Sequence, residues 1–180
     1  MLPESECAVI LGMSPERRAA FAAGVAERVF DLYMDCARPY CSNVWEAITA
    51  AWGRASGETI PGETAARLAE ALDQEAASYC DDLHESIDIP FEVITAVGHA
   101  LKAAFSGNPK DAEAAANFAT GGITRAAHAC NDDQDRAVQE ELGWQLDWLR
   151  YVSTTEAEAA RAGFAARTVT RPTWYLRWEN

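Results

Sequence analysis

The sequence predicts an all-α protein, folded as a single-domain bundle of about six to eight helices. Alanine, the strongest helix former, occurs 36 times in the 180 residues. Runs of five or more β-branched and aromatic residues, which are typical of strands, do not occur. A chain of this length buries a core without disulfides or metals. We therefore expect one domain over residues 1–180, with an N-terminal segment (1–13) and an aromatic C-terminal tail (168–180).

Capping residues place the first two helices. Ser14 supplies an N-cap, Pro15 fits a first turn and Glu16 complements the helix dipole, so the first helix begins here. It ends before Pro39, because the residue that precedes a proline is disfavoured in a helix. Ser42 caps a second helix that ends in the glycine-containing turn after it. The residues predicted to face the core from these helices are Phe21, Val25, Val29, Leu32 and Cys36, then Val44, Ile48 and Ala51.

Two further helices flank an acidic segment. The apolar residues of the third helix share one face, which is predicted to point inward: Ala65, Leu68, Leu72, Ala76 and Tyr79. Its outward residues are Glu70, Asp73 and Glu75. The pattern breaks over 81–88, and Pro90 restarts it with a fourth helix. The inward stripe of that helix is Ile94, Val97, Leu101, Ala104 and Phe105.

The fifth helix has the smallest apolar face. Asn108 and Pro109 form its capped start, directly after the fourth helix closes. Gly121 and Gly122 lie at its middle, where each glycine costs about 1 kcal/mol relative to alanine. The pair predicts either close packing against a neighbouring helix or a kink.

The sixth helix is the most apolar. It begins at Asn131, whose acidic neighbours suit a helix N-terminus. Its two apolar faces consist of Val138, Leu142, Leu146 and Leu149, and of Trp144, Trp148 and Tyr151. So broad an apolar surface predicts a central helix. A last helix runs from Thr154 or Thr155 to about Ala166.

The N-terminus and the cysteines favour a cytoplasmic protein. Residues 1–13 contain Glu4 and Glu6 and no basic residue, unlike a signal peptide. Apolar stretches are broken by charges well before the roughly 20 residues that span a bilayer. The cysteines are odd in number, widely spread and without a CxxC pair: Cys7, Cys36, Cys41, Cys80 and Cys130. They predict reduced, mostly buried thiols rather than disulfides or a zinc site.

The charge of the chain is the strongest hint of function. The formal net charge is −13, which repels nucleic acid and anionic membranes and favours cationic partners. Eight acids lie between Leu68 and Leu101, with no lysine or arginine among them. This block either presents carboxylates to a partner's Arg and Lys or forms a solvated face. The residues predicted to bind a partner are Asp73, Glu75, Asp81, Asp82, Glu85, Asp88 and Glu92.

Catalytic and metal-binding signals are weak. The sequence contains no GxSxG, Walker A, HExxH or dinucleotide-binding glycine motif. Asp81, His84 and Glu85 are able to ligate a metal, but a second Asp/Glu-x-x-His pair is absent. His128 and Cys130 are two residues apart and would point roughly 200° apart on a helix, so they do not form a nucleophile pair. The sequence predicts no catalytic residue, no metal and no cofactor.

Three segments carry a resemblance to a known family. The stretch from Phe21 to Tyr33, the tryptophan-containing second helix and the stretch from Glu140 to Trp148 resemble the YjaG-like bacterial domain of unknown function. They are also similar to the helical immunity proteins of polymorphic toxin systems. The resemblance implies a helical bundle that neutralises a cognate toxin by binding, without catalytic residues. A nuclease toxin exposes cationic groups for phosphate, and an acidic surface can occupy that site.

We therefore expect a cytoplasmic, non-enzymatic binding protein whose interface lies in segment 73–92. Two alternatives are a small helical metal-dependent enzyme that uses Asp81, His84 and Glu85, and a self-associating helical interaction protein. The aromatic tail 168–180 either docks on the bundle or is the part specific to this protein.

Overall fold

Eight α-helices make up the part of the chain that the computed structural model describes, which is residues 2–36, 41–79 and 88–167. No strand occurs in these ranges, so the predicted all-α fold is confirmed. In chain order the helices are α1 (Glu4–Gly12), α2 (Pro15–Cys36), α3 (Ser42–Ala55), α4 (Gly62–Ser78), α5 (Asp88–Ser106), α6 (Pro109–Ala129), α7 (Gln134–Thr154) and α8 (Ala157–Arg167).

Helices α2 and α5 form the centre of the bundle. Every residue from 19 to 26 of α2 is buried, and most of them are alanine, so neighbouring helices approach this helix from all sides. Helix α5 packs against α2, α3, α4 and α6. Gly24 allows α7 to approach α2 closely, because a Cβ built there would lie 2.5 Å from Nε1 of Trp148. That nitrogen donates a hydrogen bond to the carbonyl oxygen of Phe21 at 3.1 Å.

The predicted caps Ser14 and Asn108 are present, but the predicted cap Ser42 is wrong, because Ser42 is the first residue of α3 and the N-cap, Cys41, makes no side-chain hydrogen bond. Ser14 Oγ accepts a hydrogen bond from the backbone nitrogen of Arg17 at 3.3 Å. Asn108 Oδ1 accepts one from Lys110 N at 3.1 Å, with Pro109 as the first helical residue. Helix α7 begins three residues later than predicted, at Gln134 rather than Asn131, and the side chain of Asp133 caps it by accepting a hydrogen bond from Arg136 N. These side chains satisfy backbone donors that have no partner inside the helix, which is why the sequence locates the starts of α2 and α6 well.

The prediction for α7 is wrong in part: Trp148 and Leu149 are buried as predicted, but the rest of the inward stripe and the position of the helix differ. Val138, Leu142 and Leu146 are only partly buried. The buried residues of α7 are Ala137, Glu141, Gln145, Trp148, Leu149 and Val152. Two polar residues thus occupy the inward stripe, and a search for apolar periodicity passes over them. Helix α7 packs mainly on α6 and α2 at the edge of the core rather than at its centre.

A buried polar cluster explains this orientation. The side chains of Arg28 and Glu141 are 8% and 1% exposed, and Nε of the arginine lies 2.7 Å from Oε2 of the carboxylate. Gln145 Nε2 donates to Glu141 Oε1 at 2.9 Å. The same nitrogen lies 3.2 Å from the carbonyl oxygen of Ala116 and from Thr120 Oγ1. The cluster joins α2, α6 and α7 through paired charges and hydrogen bonds.

The N-terminal segment differs from the prediction. The N-terminal segment 1–13 contains helix α1, which packs on α6 and α7. The last described helix, α8, ends at Arg167 close to the predicted boundary. The predictions for the tail 168–180 lie outside the described residues. Among the helices described, none is both long and apolar enough to cross a bilayer.

Candidate binding groove and acidic residues

The seven acids predicted to bind a partner are placed unevenly. Asp73 is exposed on α4. Asp88 is the first residue of α5. Asp81, Asp82 and Glu85 lie outside the described residues. The side chains of the other two predicted residues, both described, are occupied by contacts within the protein.

Glu75 was expected to point outward, and this expectation is wrong. Its carboxylate accepts a hydrogen bond from the hydroxyl of Tyr33 at 2.9 Å. The same hydroxyl accepts one from the backbone nitrogen of Cys41 at 2.6 Å. Burial, together with the hydrogen bond and charge of Glu75, raises the pKa of Tyr33 well above its ordinary value. Glu75 therefore ties α4 to α2 and to the start of α3.

Glu92 lies between α5 and α6. Its side chain is 12% exposed, and its Oε1 accepts a hydrogen bond from Arg125 Nε at 3.0 Å. A Cβ built at Gly121 would lie 2.8 Å from Glu92 Oε2, so a glycine is needed for the carboxylate to occupy this position. Of the two outcomes predicted for the glycine pair, close packing occurs, because a Cβ built at Gly122 would also lie within 3.6 Å of α5, at Glu92 Cβ and Val93 Cγ2.

This carboxylate forms one wall of an open groove of about 430 Å³. The groove is lined by Glu92, Gly121, Thr124, Arg125, His128, Ala129 and Gln134. Pockets that bind ligands typically measure roughly 300–1,000 Å³. The sequence did not predict the groove because the residues that line it are far apart along the chain. They come from α5, α6 and α7, and Glu92 and Arg125 are 33 positions apart.

Most of the residues that line the groove belong to the C-terminal half of α6. Two of them, Gly121 and Ala129, carry no large side chain. His128 Nδ1 lies 2.8 Å from Gln134 Nε2, which joins the end of α6 to the start of α7. The C-terminus of a helix carries the negative end of its dipole. The positive end of α7 is covered by its own cap, Asp133.

Serine, histidine and carboxylate groups also meet beside the α5–α6 turn. Asp111 Oδ1 lies 3.2 Å from His99 Nδ1, and its Oδ2 accepts a hydrogen bond from Ser106 at 3.3 Å. The ring of His99 stacks on Phe118 with centroids 5.5 Å apart. In this trio the serine contacts the carboxylate and not the imidazole, so the geometry is unlike that of an activated nucleophile. The three groups cap and join the two helices.

Metal ligands do not converge in the described ranges, where no group of three or more His, Cys, Asp or Glu side chains is placed to hold an ion. The alternative site at Asp81, His84 and Glu85 lies outside those ranges. His128, which was considered as a partner of Cys130, contacts Gln134.

The described cysteines are free thiols, and all four are partly rather than fully buried. Burial raises the pKa of Cys36 to about 11, with smaller contributions from Asp35 and Cys130. A thiol with so high a pKa forms little of the reactive thiolate at neutral pH. The prediction of mostly buried thiols is wrong for the four described, which are only partly buried.

Comparison with known proteins returned no matching family model, no matching curated protein and no matching solved structure.

Proposed function

We propose that this protein is a cytoplasmic, non-enzymatic binding protein that neutralises a cationic protein partner, as an immunity protein neutralises its toxin. The observation that carries the proposal is the excess of acid in segment 73–92. We call its predicted binding residues the acidic surface: Asp73, Glu75, Asp81, Asp82, Glu85, Asp88 and Glu92. The net charge of −13 adds to the field around it.

The exposed face of α4 supports the proposal. Glu70 and Asp73 are both exposed. Within the described part of the chain, neither forms an ion pair. The one basic residue of α4, Arg67, is engaged with Glu46 at 2.9 Å. The field of these two carboxylates is therefore directed into solvent, where it attracts cationic groups before contact.

Electrostatic attraction of this kind acts mainly on the rate of association. Steering raises association rates by roughly 10–1,000-fold, and salt screens it within about 8 Å at physiological ionic strength. A toxin that binds nucleic acid must expose cationic groups for phosphate. An acidic protein that covers those groups both blocks the site and repels the substrate.

The test begins with a tagged pull-down from native cells at low salt, eluted by a salt gradient. The captured partner is then purified, and its association with two full-length variants is measured. One variant carries Asp73→Asn, Asp81→Asn, Asp82→Asn and Glu85→Gln. Its matched control removes the same charge from exposed acids on other helices, with Glu4→Gln, Glu140→Gln, Asp147→Asn and Glu158→Gln.

We expect the first variant to associate at least about tenfold more slowly at low salt, with a weaker salt dependence, because it loses local steering. The control loses only the effect of net charge and remains close to the wild type. Equal behaviour of the two variants would contradict the acidic surface as the interface. Stoichiometric metal in protein purified without chelator would instead support the metal-dependent alternative.

A further inference from the structure

We propose that the groove between α5, α6 and α7 receives one arginine side chain of the partner, and that Glu92 is the carboxylate that binds it. The inference rests on the proposed function, because it assumes that the partner is cationic. It adds a specific pocket at one end of the acidic surface. It also assigns opposite roles to the two charged walls of that pocket.

The groove is large enough to admit one long side chain. Its volume is about 430 Å³, and two of its lining residues, Gly121 and Ala129, carry no large side chain. Gly121 lets Glu92 approach α6, because a Cβ at this position would lie 2.8 Å from Glu92 Oε2. The glycine therefore allows the carboxylate to lie against the helix at the wall of the groove. Side chains that anchor an interface are commonly arginine or aromatic, and they fill pockets of this kind.

The chemistry of the groove suits a guanidinium group. Glu92 already accepts a hydrogen bond from the guanidinium of Arg125 at 3.0 Å. The arginine side chain is 44% exposed, whereas the carboxylate is 12% exposed. The carboxylate is thus fixed and mostly buried, and its cation lies on the solvent side. An incoming arginine competes with Arg125 for Glu92, in an exchange of one charge-assisted hydrogen bond for another.

Position also favours a cationic occupant. Glu92 is the last acid of the acidic surface, one helical turn after Asp88, so the groove continues the proposed interface. The C-terminal half of α6 lines the groove and contributes the negative end of its dipole. The neighbouring N-terminus of α7 is capped by Asp133, so a further carboxylate lies at that end of the helix.

The competition gives predictions of opposite sign for the two walls. Glu92→Gln removes the charge that binds the guanidinium and should weaken the binding of an arginine compound at least about fivefold. Arg125→Gln removes the arginine that competes within the protein and should strengthen the binding of the same compound several-fold. Gly121→Ala keeps every charge but forces the carboxylate to move, so it should weaken binding as Glu92→Gln does. Glu158→Gln, an exposed acid of α8 outside the acidic surface, serves as the control and should have little effect.

The probe is Nα-acetyl-arginine amide, titrated into the full-length, ¹⁵N-labelled protein and followed by the backbone amide signals of Gly121 and Gly122. Nα-acetyl-citrulline amide, which has nearly the same shape and no charge, is the control ligand. We expect saturable shifts at both glycines with the arginine compound and none with the citrulline compound. The spectra also report whether each variant remains folded.

Three results would overturn the proposed arginine site: equal shifts with both compounds, no shift at the two glycines, or weaker binding of the arginine compound by the Arg125→Gln variant. These results are distinguishable from failure of the proposed function. If the groove does not bind arginine but the purified partner still depends on Asp73, Asp81, Asp82 and Glu85, the acidic interface stands without the pocket. If the partner depends on none of these acids, the proposed function fails.

Discussion

Loss of Arg28 should strongly destabilise the protein, because it leaves a buried carboxylate without its counter-charge. The side chain of Glu141 is 1% exposed and pairs with Arg28 at 2.7 Å. The arginine also lies over the ring of Trp144, 4.3 Å from its centroid. Arg28→Met retains much of the apolar volume but removes the charge. The cost of this substitution therefore measures the electrostatic part of the interaction.

The expected magnitude follows from burial. Breaking a buried ion pair by removing one partner costs about 3–5 kcal/mol in the free energy of unfolding. For a protein of this size, each kcal/mol lowers Tm by about 2–4 °C, so a fall of about 6–20 °C is expected. The double substitution Arg28→Met with Glu141→Leu should recover most of this loss. Gln145 Nε2 then keeps two acceptors, the carbonyl oxygen of Ala116 and the hydroxyl of Thr120.

The stability lost in Arg28→Met should increase as the pH rises. Burial raises the pKa of Glu141 above its ordinary value of 4.5, while Arg28 opposes the rise. Removal of Arg28 raises this pKa further. A raised folded-state pKa stabilises the protein at low pH, and this stability is lost as pH rises through it. The deficit of Arg28→Met relative to the wild type should therefore be small near pH 4.5 and grow toward neutral pH.

Urea unfolding at several pH values, with Tm measured in parallel, provides the assay. The matched control is Arg67→Met, which breaks the pair with Glu46 where the side chains are 56% and 50% exposed. Exposed pairs contribute about 0–1 kcal/mol, so this variant should unfold much like the wild type. The reasoning would be refuted if both arginine variants lost equal stability, or if the double substitution were no more stable than Arg28→Met alone.

Two other substitutions and one chemical reaction test the packing. Gly24→Ala places a methyl group 2.5 Å from Trp148 Nε1 and should lower the free energy of unfolding in urea by at least about 1–3 kcal/mol. Gly143→Ala, in a helix with open space around it, should raise the free energy of unfolding by about 0.5–1 kcal/mol. A neutral or stabilising Gly24→Ala would contradict the close helix contact. Cys36, whose pKa is raised to about 11, should react with a thiol reagent far more slowly at neutral pH in the folded protein than in urea. Equal rates in a Cys36-only variant would show that burial does not protect it.

Local signals were sufficient to predict most of the fold. Ser14 with Pro15 and Asn108 with Pro109 specify helix starts through hydrogen bonds made within a few residues. The fold class follows from alanine content and helical spacing. Helix α1 was missed because its apolar residues are consecutive and do not form one stripe.

The remainder depends on contacts between distant parts of the chain. The inward face of α7 was assigned to apolar residues, but Glu141 turns inward because Arg28, 113 positions away, pairs with it. Glu92 was predicted as an interface residue from charge alone. Its partner Arg125 and the room made by Gly121 appear only after α5 and α6 pack together. A single sequence contains no signal for such pairs.

The association rate of the purified partner, measured across ionic strengths on both sides of about 0.15 M, tests the acidic surface most directly. The two variants compared carry equal net charge and differ only in which four acids are neutralised. A docking surface in segment 73–92 predicts that neutralising Asp73, Asp81, Asp82 and Glu85 slows association and flattens its salt dependence. The control, altered at Glu4, Glu140, Asp147 and Glu158, should retain the wild-type behaviour. Identical rates and identical salt dependence in the two variants would contradict the surface.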